Sequence, residues 1–279
     1  MIKIVTDSTC DIPRATQKSM GIHVVPMTVF FEQRAYRDGL DMEHKEFYEK
    51  MEKAAKLPTT SQVNPGTFED LFEDLVADGS SVIGIFVSSE LSGTAHSAMI
   101  AATAVSPENI FIVDSRTVSL GLGLLVKEAV RQVGETNYTA PEIAKNLQIL
   151  AKKARLFAVL DTFKNLKMGG RLSAGTAAVG GLLGIKPIVE IVDGRVVMAG
   201  KVRGDKAAIR FLSHQLKEHP PQLSYGFAFG HGYAKPRMNE YINQLCNHIP
   251  GCKYDAGWIG AAIGTHAGSG VVGIAYFDK

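Results

Sequence analysis

Three short segments of the chain concentrate serine, threonine and glycine next to apolar runs. They span residues 58–62, 88–94 and 264–270. Hydroxyl groups, and the free backbone N–H groups at the start of a helix, are donors suited to hold an anion such as a carboxylate or a phosphate. Each segment taken alone also fits a helix cap or a turn. The pattern therefore predicts an anion-binding site only if the fold brings the three segments together.

Six residues in these segments are candidates for binding an anion. They are Thr60, Ser61, Ser92, Gly93, Thr94 and His266. The second segment follows the clearest predicted strand and opens a predicted helix, so its N–H groups would present the positive end of a helix dipole. Loops at the carboxyl ends of parallel strands are also where α/β sheets bind ligands. These residue types therefore favour recognition of a carboxylate or a phosphate.

A catalytic function is the main alternative. Ser92 could act as the nucleophile of a hydrolase or acyltransferase, with His266 or His96 as its base, yet no residue is evident that would orient the base. The chain has no P-loop, no G-x-S-x-G turn and no histidine spacing typical of a metal site. Residues 268–273 match G-x-G-x-x-G but precede a strand instead of a helix. We therefore expect no catalytic residues and no metal. A sugar- or nucleotide-binding function is a further alternative.

The elements that must position these segments alternate between strand and helix in the first half of the chain. That order is typical of a parallel sheet. In the second half, Asp193-Gly194 separates two apolar runs, which predicts a β-hairpin and hence a mixed sheet. We predict an α/β fold with two domains. Residues 1–154 would form an N-terminal parallel-sheet α/β domain with a small β insertion near 23–40, and residues 155–279 a C-terminal α+β domain with a mixed sheet.

Composition and charge exclude several classes of function. The 279 residues are 46% apolar and 21% charged, as in an ordinary globular chain, and a net charge of +2 argues against a nucleic-acid binder. Residues 1–150 carry a net −7 and residues 151–279 a net +9, so the second domain offers a basic surface. Three cysteines are too few for a disulfide framework, and no signal peptide or transmembrane run is evident. We expect a cytoplasmic protein.

Taken together, the motifs resemble the DegV family of bacterial fatty-acid-binding proteins along essentially the whole chain. The segments that carry the resemblance, in order, are Val5-Thr6-Asp7-Ser8-Thr9, Asp11-Ile12-Pro13, Val24-Val25-Pro26, Pro58-Thr59-Thr60-Ser61-Gln62, residues 88–94, Val113-Asp114-Ser115-Arg116, Gly121 with Gly123, Gly169-Gly170-Arg171-Leu172, Leu183-Gly184-Ile185-Lys186-Pro187-Ile188, Val202-Arg203 and residues 263–270. One such motif alone is weak evidence, but the whole set in this order is specific.

The resemblance implies that a long-chain fatty acid lies between the two domains as the only ligand, with no cofactor. Its carboxylate would be held by residues matching Thr60, Ser61, Ser92 and Thr94, with His266 close by. Residues matching Arg171 and Arg203 would face a partner or a phosphate.

The partner that the resemblance implies is a separate ATP-dependent kinase subunit, which forms an acyl phosphate for phospholipid synthesis. This chain would then be the lipid-carrying subunit of a fatty acid kinase and not an enzyme itself. Small residues at 94–98 and 174–184 fit the lining of a tunnel, and tight helix packing explains them equally well.

Overall fold

A computed structural model gives the fold of the protein and describes residues 1–172, 184–247 and 249–279. Residues 174–183, for which the sequence predicts a tunnel lining or tight packing, lie outside the described residues. Within the described ranges, none of the helices has the length and apolar character needed to cross a membrane.

Strands and helices alternate along the chain much as the sequence predicts. The strands are β1 (Ile2–Asp7), β2 (Ile22–Val25), β3 (Thr28–Phe31), β4 (Arg34–Arg37), β5 (Thr59–Ser61), β6 (Ser81–Phe86), β7 (Ile110–Asp114), β8 (Ala154–Val159), β9 (Ile185–Val192), β10 (Arg195–Arg203), β11 (Phe227–His231), β12 (Tyr254–Trp258) and β13 (Val272–Phe277). The helices are α1 (Arg14–Ser19), α2 (His44–Lys53), α3 (Pro65–Val76), α4 (Thr94–Val105), α5 (Ser119–Glu135), α6 (Ala140–Ala151), α7 (Lys164–Met168), α8 (Gly204–Glu218), α9 (Lys235–Cys246) and α10 (Ala261–Ala267).

The first sheet is parallel throughout. Its four strands lie in the order β2–β1–β6–β7. Helices cover both faces of such a sheet, so its strands are continuous apolar runs instead of alternating ones. β6 shows this best, because every residue after Ser81 in that strand is buried. The predicted parallel sheet is confirmed.

The second sheet is mixed and has six strands in the order β10–β9–β8–β13–β11–β12. Only the β11–β12 pair is parallel. β9 and β10 form the predicted hairpin, in which Asp193 and Gly194 both adopt positive φ angles of 50° and 81°. A two-residue turn with two positive φ angles matches the natural twist of the strands that it joins. The predicted mixed sheet is therefore confirmed.

A third, small sheet has the order β4–β3–β5. It contains only part of the β insertion that the sequence predicts near residues 23–40. Residues 23–40 do not form one unit, because β2 is an edge strand of the parallel sheet while β3 and β4 pair in the small sheet. Taken alone, the polar segment 58–62 fits a turn or a helix cap, but β5 lies there and pairs with β3. Three polar residues have no strand pattern of their own, so this strand exists only through its partner. The pairing sets Thr60 opposite Val29.

The third hydroxyl-rich segment is also not the loop that the sequence predicts. Thr265 and His266 lie on α10, and only residues 268–270 form a turn before β13. Glycine, threonine and histidine are poor helix formers, which explains the wrong prediction. α10 is held at its N-terminus by two carboxylates from the first half of the chain, those of Asp11 and Asp38.

Helix α5 lies against both large sheets. It contacts β1 and β6 of the parallel sheet and β8, β11 and β13 of the mixed sheet. This double contact explains why most of its residues from Ser119 to Ala129 are buried. The mixed sheet begins at β8, whose first residue is Ala154, so part of the first half of the chain packs directly on the second sheet. The domain division at residue 154 stays a prediction.

One covalent contact was not predicted from the sequence. The sulfur atoms of Cys246, at the end of α9, and Cys252 are paired, while Cys10 is buried and free. The pair joins the end of α9 to the segment that precedes β12.

Candidate functional site

A cavity of about 380 Å³ lies between the mixed sheet, the first turn of α5 and the segments that carry the candidate residues. Its polar lining residues are Thr9, Thr60, Ser61, Gln62, Ser92, Ser119, Arg171 and His266. Its apolar lining residues are Met27, Val87, Leu91, Val118, Leu120, Leu156, Ala158, Leu160, Leu166, Val189, Ile191, Val196, Ile259, Ala262, Ile263, Ala267 and Val271, with Gly93 and Gly273 completing the wall. The cavity is thus apolar over most of its surface.

Strand alternation explains the apolar wall. Successive side chains of a strand point to opposite faces of a sheet. On β8 the side chains of Leu156 and Ala158 line the cavity. Those of Phe157 and Val159 pack instead in the core beneath α8 and α9. The mixed sheet therefore separates a solid core on one face from an open cavity on the other.

The first and third hydroxyl-rich segments meet at one end of this cavity. The Thr60 Oγ1 and His266 Nε2 atoms are 2.8 Å apart and share a hydrogen bond across 206 residues of sequence. β5 brings Thr60 and Ser61 to the cavity, and α10 brings His266. The fold therefore brings these two segments together, a condition that the sequence alone could not establish.

The second segment contributes Ser92 and Gly93 to the same cavity. The hydroxyls of Ser92 and Thr94 are 2.9 Å apart and hydrogen-bonded. Thr94 itself is fully buried, does not line the cavity, and accepts a hydrogen bond from the Val63 backbone at 3.3 Å. Thr94 therefore supports the Ser92 loop from behind, whereas the sequence places it among the residues that touch a ligand.

The two predicted arginines have different positions. Arg171 lines the cavity, and its guanidinium donates to the Gly169 carbonyl at 2.6 Å and to the Leu91 carbonyl at 3.3 Å. Arg203 is exposed at the end of β10 and does not line the cavity. Only Arg171 is thus placed beside the polar end.

The His266 imidazole is neutral at ordinary pH. Burial, with a smaller contribution from the positive charge of Arg171, lowers the pKa of His266 to about 4. Its Nδ1 atom is buried and has no hydrogen-bond partner among the described residues. Nδ1 lies against Gly169 while Nε2 bonds Thr60, and the neutral ring supplies no fixed positive charge.

The geometry does not assemble a nucleophile and its base. Ser92 bonds Thr94 and His266 bonds Thr60, and no hydrogen bond joins Ser92 to His266. The other histidine considered, His96, is exposed on α4. A serine nucleophile needs a base within hydrogen-bond reach and a third group that orients it. Neither requirement is met by the described residues.

Two buried carboxylates that the sequence analysis did not assign to the site position the helix that carries His266. Asp11 accepts a hydrogen bond from Gly260 N at 2.8 Å, and Asp38 accepts one from Ala261 N at 3.0 Å. These N–H groups begin α10, where a carboxylate also complements the helix dipole. In the sequence, Asp11 is recognisable only as part of a family motif. No sequence pattern indicates a role for Asp38, because that role depends on a residue more than 200 positions away.

A pH-dependent stability is expected from Asp38. Burial raises the pKa of this carboxyl from 3.8 to about 6, so the folded state holds its proton more tightly than the unfolded chain does. The stabilisation is full below about pH 4 and is lost as the pH rises through about 6. We expect the unfolding free energy of the native protein, relative to that of Asp38→Asn, to fall by about 3 kcal/mol over this range. Urea unfolding at a series of pH values measures it, and a pH-independent difference between the two proteins would contradict it.

The chemistry of the described residues does not point to a bound metal ion. Among them, no group of three or more histidine, cysteine, aspartate or glutamate side chains could hold one. The cavity instead offers hydroxyls, one neutral imidazole and one guanidinium at the end of an apolar space.

Comparison with known proteins assigns the chain to a family. The family model described as "Uncharacterised protein, DegV family" matches residues 1–279. A DegV domain-containing protein of Caldanaerobacter subterraneus subsp. tengcongensis is 36% identical over 285 residues, which covers 100% of this chain and 99% of the relative.

Two solved structures share the fold over the full length. A DegV family protein from Thermus thermophilus, described by its fatty acid binding, has a TM-score of 0.90 at 28% identity, covering 100% of this chain and 99% of the other. A stearic acid-binding protein from Eubacterium ventriosum has a TM-score of 0.86 at 28% identity, with the same coverage. As its motifs predicted, the chain belongs to the DegV family.

Proposed function

We propose that this protein binds a long-chain fatty acid in the cavity, with the alkyl chain along the mixed sheet and the carboxylate at the polar end. The observation that carries the proposal is an apolar cavity that ends at the Thr60–His266 hydrogen bond and the Ser92 loop. The fatty-acid-binding relatives support it, since they share the fold over the whole chain.

The energetics favour a ligand with a long chain. Burying about 15 methylene groups contributes roughly 12 kcal/mol at ~0.8 kcal/mol each. Association costs of about 4–15 kcal/mol offset much of this gain, so tight binding requires the chain to be enclosed along its length. Apolar side chains of β8, β9 and the first turn of α5 supply a wall against which such a chain can pack, which supports a ligand of this kind.

The carboxylate would be bound by neutral donors. A buried carboxylate costs several kcal/mol unless it is hydrogen-bonded, and the hydroxyls of Thr60, Ser61 and Ser92, the Gly93 N–H and His266 are the groups available. Arg171 already donates to two backbone carbonyls. A fork-like Arg clamp would occupy both carboxylate oxygens, whereas single hydroxyl donors leave one oxygen able to react.

We further propose that the protein presents the bound acid to a separate kinase that uses ATP. The carboxylate oxygen would attack the γ-phosphorus, the bond from that phosphorus to the leaving nucleoside diphosphate would break, and an acyl phosphate would form. The absence of a nucleophile–base pair among the described residues supports a carrier over an enzyme. We place this activity in the cytoplasm, where ATP is available to such a kinase.

The direct test is to identify what the protein carries. We expect protein purified from bacteria and then denatured to release a long-chain fatty acid that mass spectrometry detects. Failure to find any lipid, together with no binding of added palmitate or oleate, would reject the proposed function.

Two substitutions separate binding from presentation. Ser92→Ala removes a hydroxyl from the polar end, and we expect it to weaken fatty acid retention by about tenfold, since a hydrogen bond to a charged group contributes about 1.5–3 kcal/mol. Arg203→Ala changes an exposed residue outside the cavity, so it should leave retention unchanged and lower the rate of phosphorylation by the partner kinase. Equal loss of both properties in both variants would contradict this division of roles.

A further inference from the structure

A second chamber, named the outer chamber, adjoins the Thr60–His266 pair, and the cavity described above is named the inner cavity. The outer chamber has a volume of about 430 Å³ and shares Thr60, Arg171 and His266 with the inner cavity. Its remaining wall comes from the chain between α2 and β5, from α7 and from Thr265 of α10. Two connected groups of one ligand could therefore occupy the two adjoining chambers at once, both close to Thr60 and His266.

The residues that line this outer chamber carry a net positive charge. Lys56, Lys164 and Arg171 line it, and none of the described lining residues is acidic. Lys56 and Lys164 are exposed, and neither side chain forms a hydrogen bond or an ion pair with any described residue. Three cations around one chamber, two of them without a partner, favour a ligand that carries more than one negative charge.

Hydrogen bonds fix part of the wall of this chamber. The buried Asn165 side chain donates to the Thr265 carbonyl at 3.0 Å, which ties α7 to α10. Arg171 is held by the Gly169 carbonyl at 2.6 Å. Hydrogen bonds therefore hold Asn165 and Arg171 in the wall of the chamber, whereas the side chains of Lys56 and Lys164 are exposed and free to move toward a ligand.

We propose that this outer chamber binds the phosphoryl group of an acyl phosphate whose alkyl chain occupies the inner cavity, with Lys56 and Lys164 as its ligands. The inference rests on the proposed function. A phosphoryl group bonded to the carboxylate extends away from the alkyl chain, and a dianion cannot enter the apolar cavity without a large desolvation cost. The outer chamber is the adjoining space, and its lysines pair with phosphate as mobile point charges.

The test compares two ligands that share an alkyl chain. One is palmitate, and the other is a long-chain 2-oxoalkylphosphonate, which resembles an acyl phosphate but does not hydrolyse. We expect the Lys56→Ala/Lys164→Ala protein to bind the phosphonate at least about tenfold more weakly than the native protein does, and to bind palmitate within about twofold of it. The native preference for the phosphonate should also decline as salt is added.

The matched control is Lys53→Ala/Lys167→Ala. These lysines are exposed close by in sequence, and neither lines the inner cavity or the outer chamber. We expect both ligands to bind this protein as they bind the native one. Circular dichroism checks that each variant is folded.

The outcomes separate the two proposals. If the native protein binds palmitate but not the phosphonate, or if the Lys56/Lys164 variant loses both ligands equally or neither, the outer chamber is not a phosphoryl site and the carrier function stands. If the native protein binds neither ligand, the proposed function fails and this inference fails with it.

Discussion

Replacing Ala158 with phenylalanine is expected to weaken the binding of long-chain fatty acids by about 100-fold. Ala158 lies on β8 with its side chain in the wall of the inner cavity, so a phenyl ring there occupies space that the alkyl chain needs. Displacing about four methylene groups removes about 3 kcal/mol, which corresponds to an affinity about 100-fold lower. Competition against a fluorescent fatty acid measures the affinity, and mass spectrometry of extracted lipid should show shorter chains or none.

Ala35→Phe is the matched control for this substitution. Ala35 is exposed on β4 in the small sheet, so the same chemical change is made on a strand away from the cavity. We expect this protein to retain fatty acid as the native one does. If Ala158→Phe folded normally and carried the same lipid with the same affinity, the inner cavity would not be the fatty acid site.

The second large effect is expected from Gly169→Ala, although Gly169 does not line the inner cavity. A β-carbon at Gly169 would overlap His266 Nδ1 and come within 3.0 Å of His266 Cε1 and 3.1 Å of the Asn165 carbonyl. The backbone φ of Gly169 is −76°, a conformation that alanine adopts readily. The obstacle to alanine is therefore steric overlap. The added methyl group must displace the imidazole from its present position, which disturbs the Thr60–His266 hydrogen bond at the polar end of the cavity.

We expect Gly169→Ala to weaken fatty acid binding by about 10- to 100-fold, since the loss of a hydrogen bond at a buried charged group costs about 1.5–3 kcal/mol. Gly134→Ala on α5 is the control, because a β-carbon there meets no atom within 4 Å. Isothermal titration with palmitate compares the three proteins. An unchanged affinity in Gly169→Ala would show that the position of His266 does not matter for carboxylate binding.

Much of the architecture could be predicted from local patterns. The alternating strands and helices of the first half and the Asp193-Gly194 hairpin depend on residues that are neighbours in sequence, and both predictions are confirmed. Hydrophobic periodicity and turn chemistry act over a few residues, which is why they can be read without a structure. Family membership was likewise evident from the order of the motifs.

The conformation of an element that depends on a distant partner could not be predicted correctly from the sequence. β5 is a strand because it pairs with β3, and α10 is a helix whose first N–H groups are held by Asp11 and Asp38. Polar and small residues carry little intrinsic preference, so tertiary contacts decide their conformation. The same reason explains Thr94, whose hydroxyl supports a loop although its residue type suited a ligand.

The amino-acid sequence by itself determined the α/β class, the two kinds of sheet, and the residue types of the polar end. Only the tertiary structure decided that Thr60 and His266 touch, that Arg171 lies beside them while Arg203 does not, and that a second, cationic chamber adjoins the pair. Secondary structure follows largely from side-chain pattern over a few residues, whereas a site made by residues 206 positions apart exists only once the sheets and helices have packed.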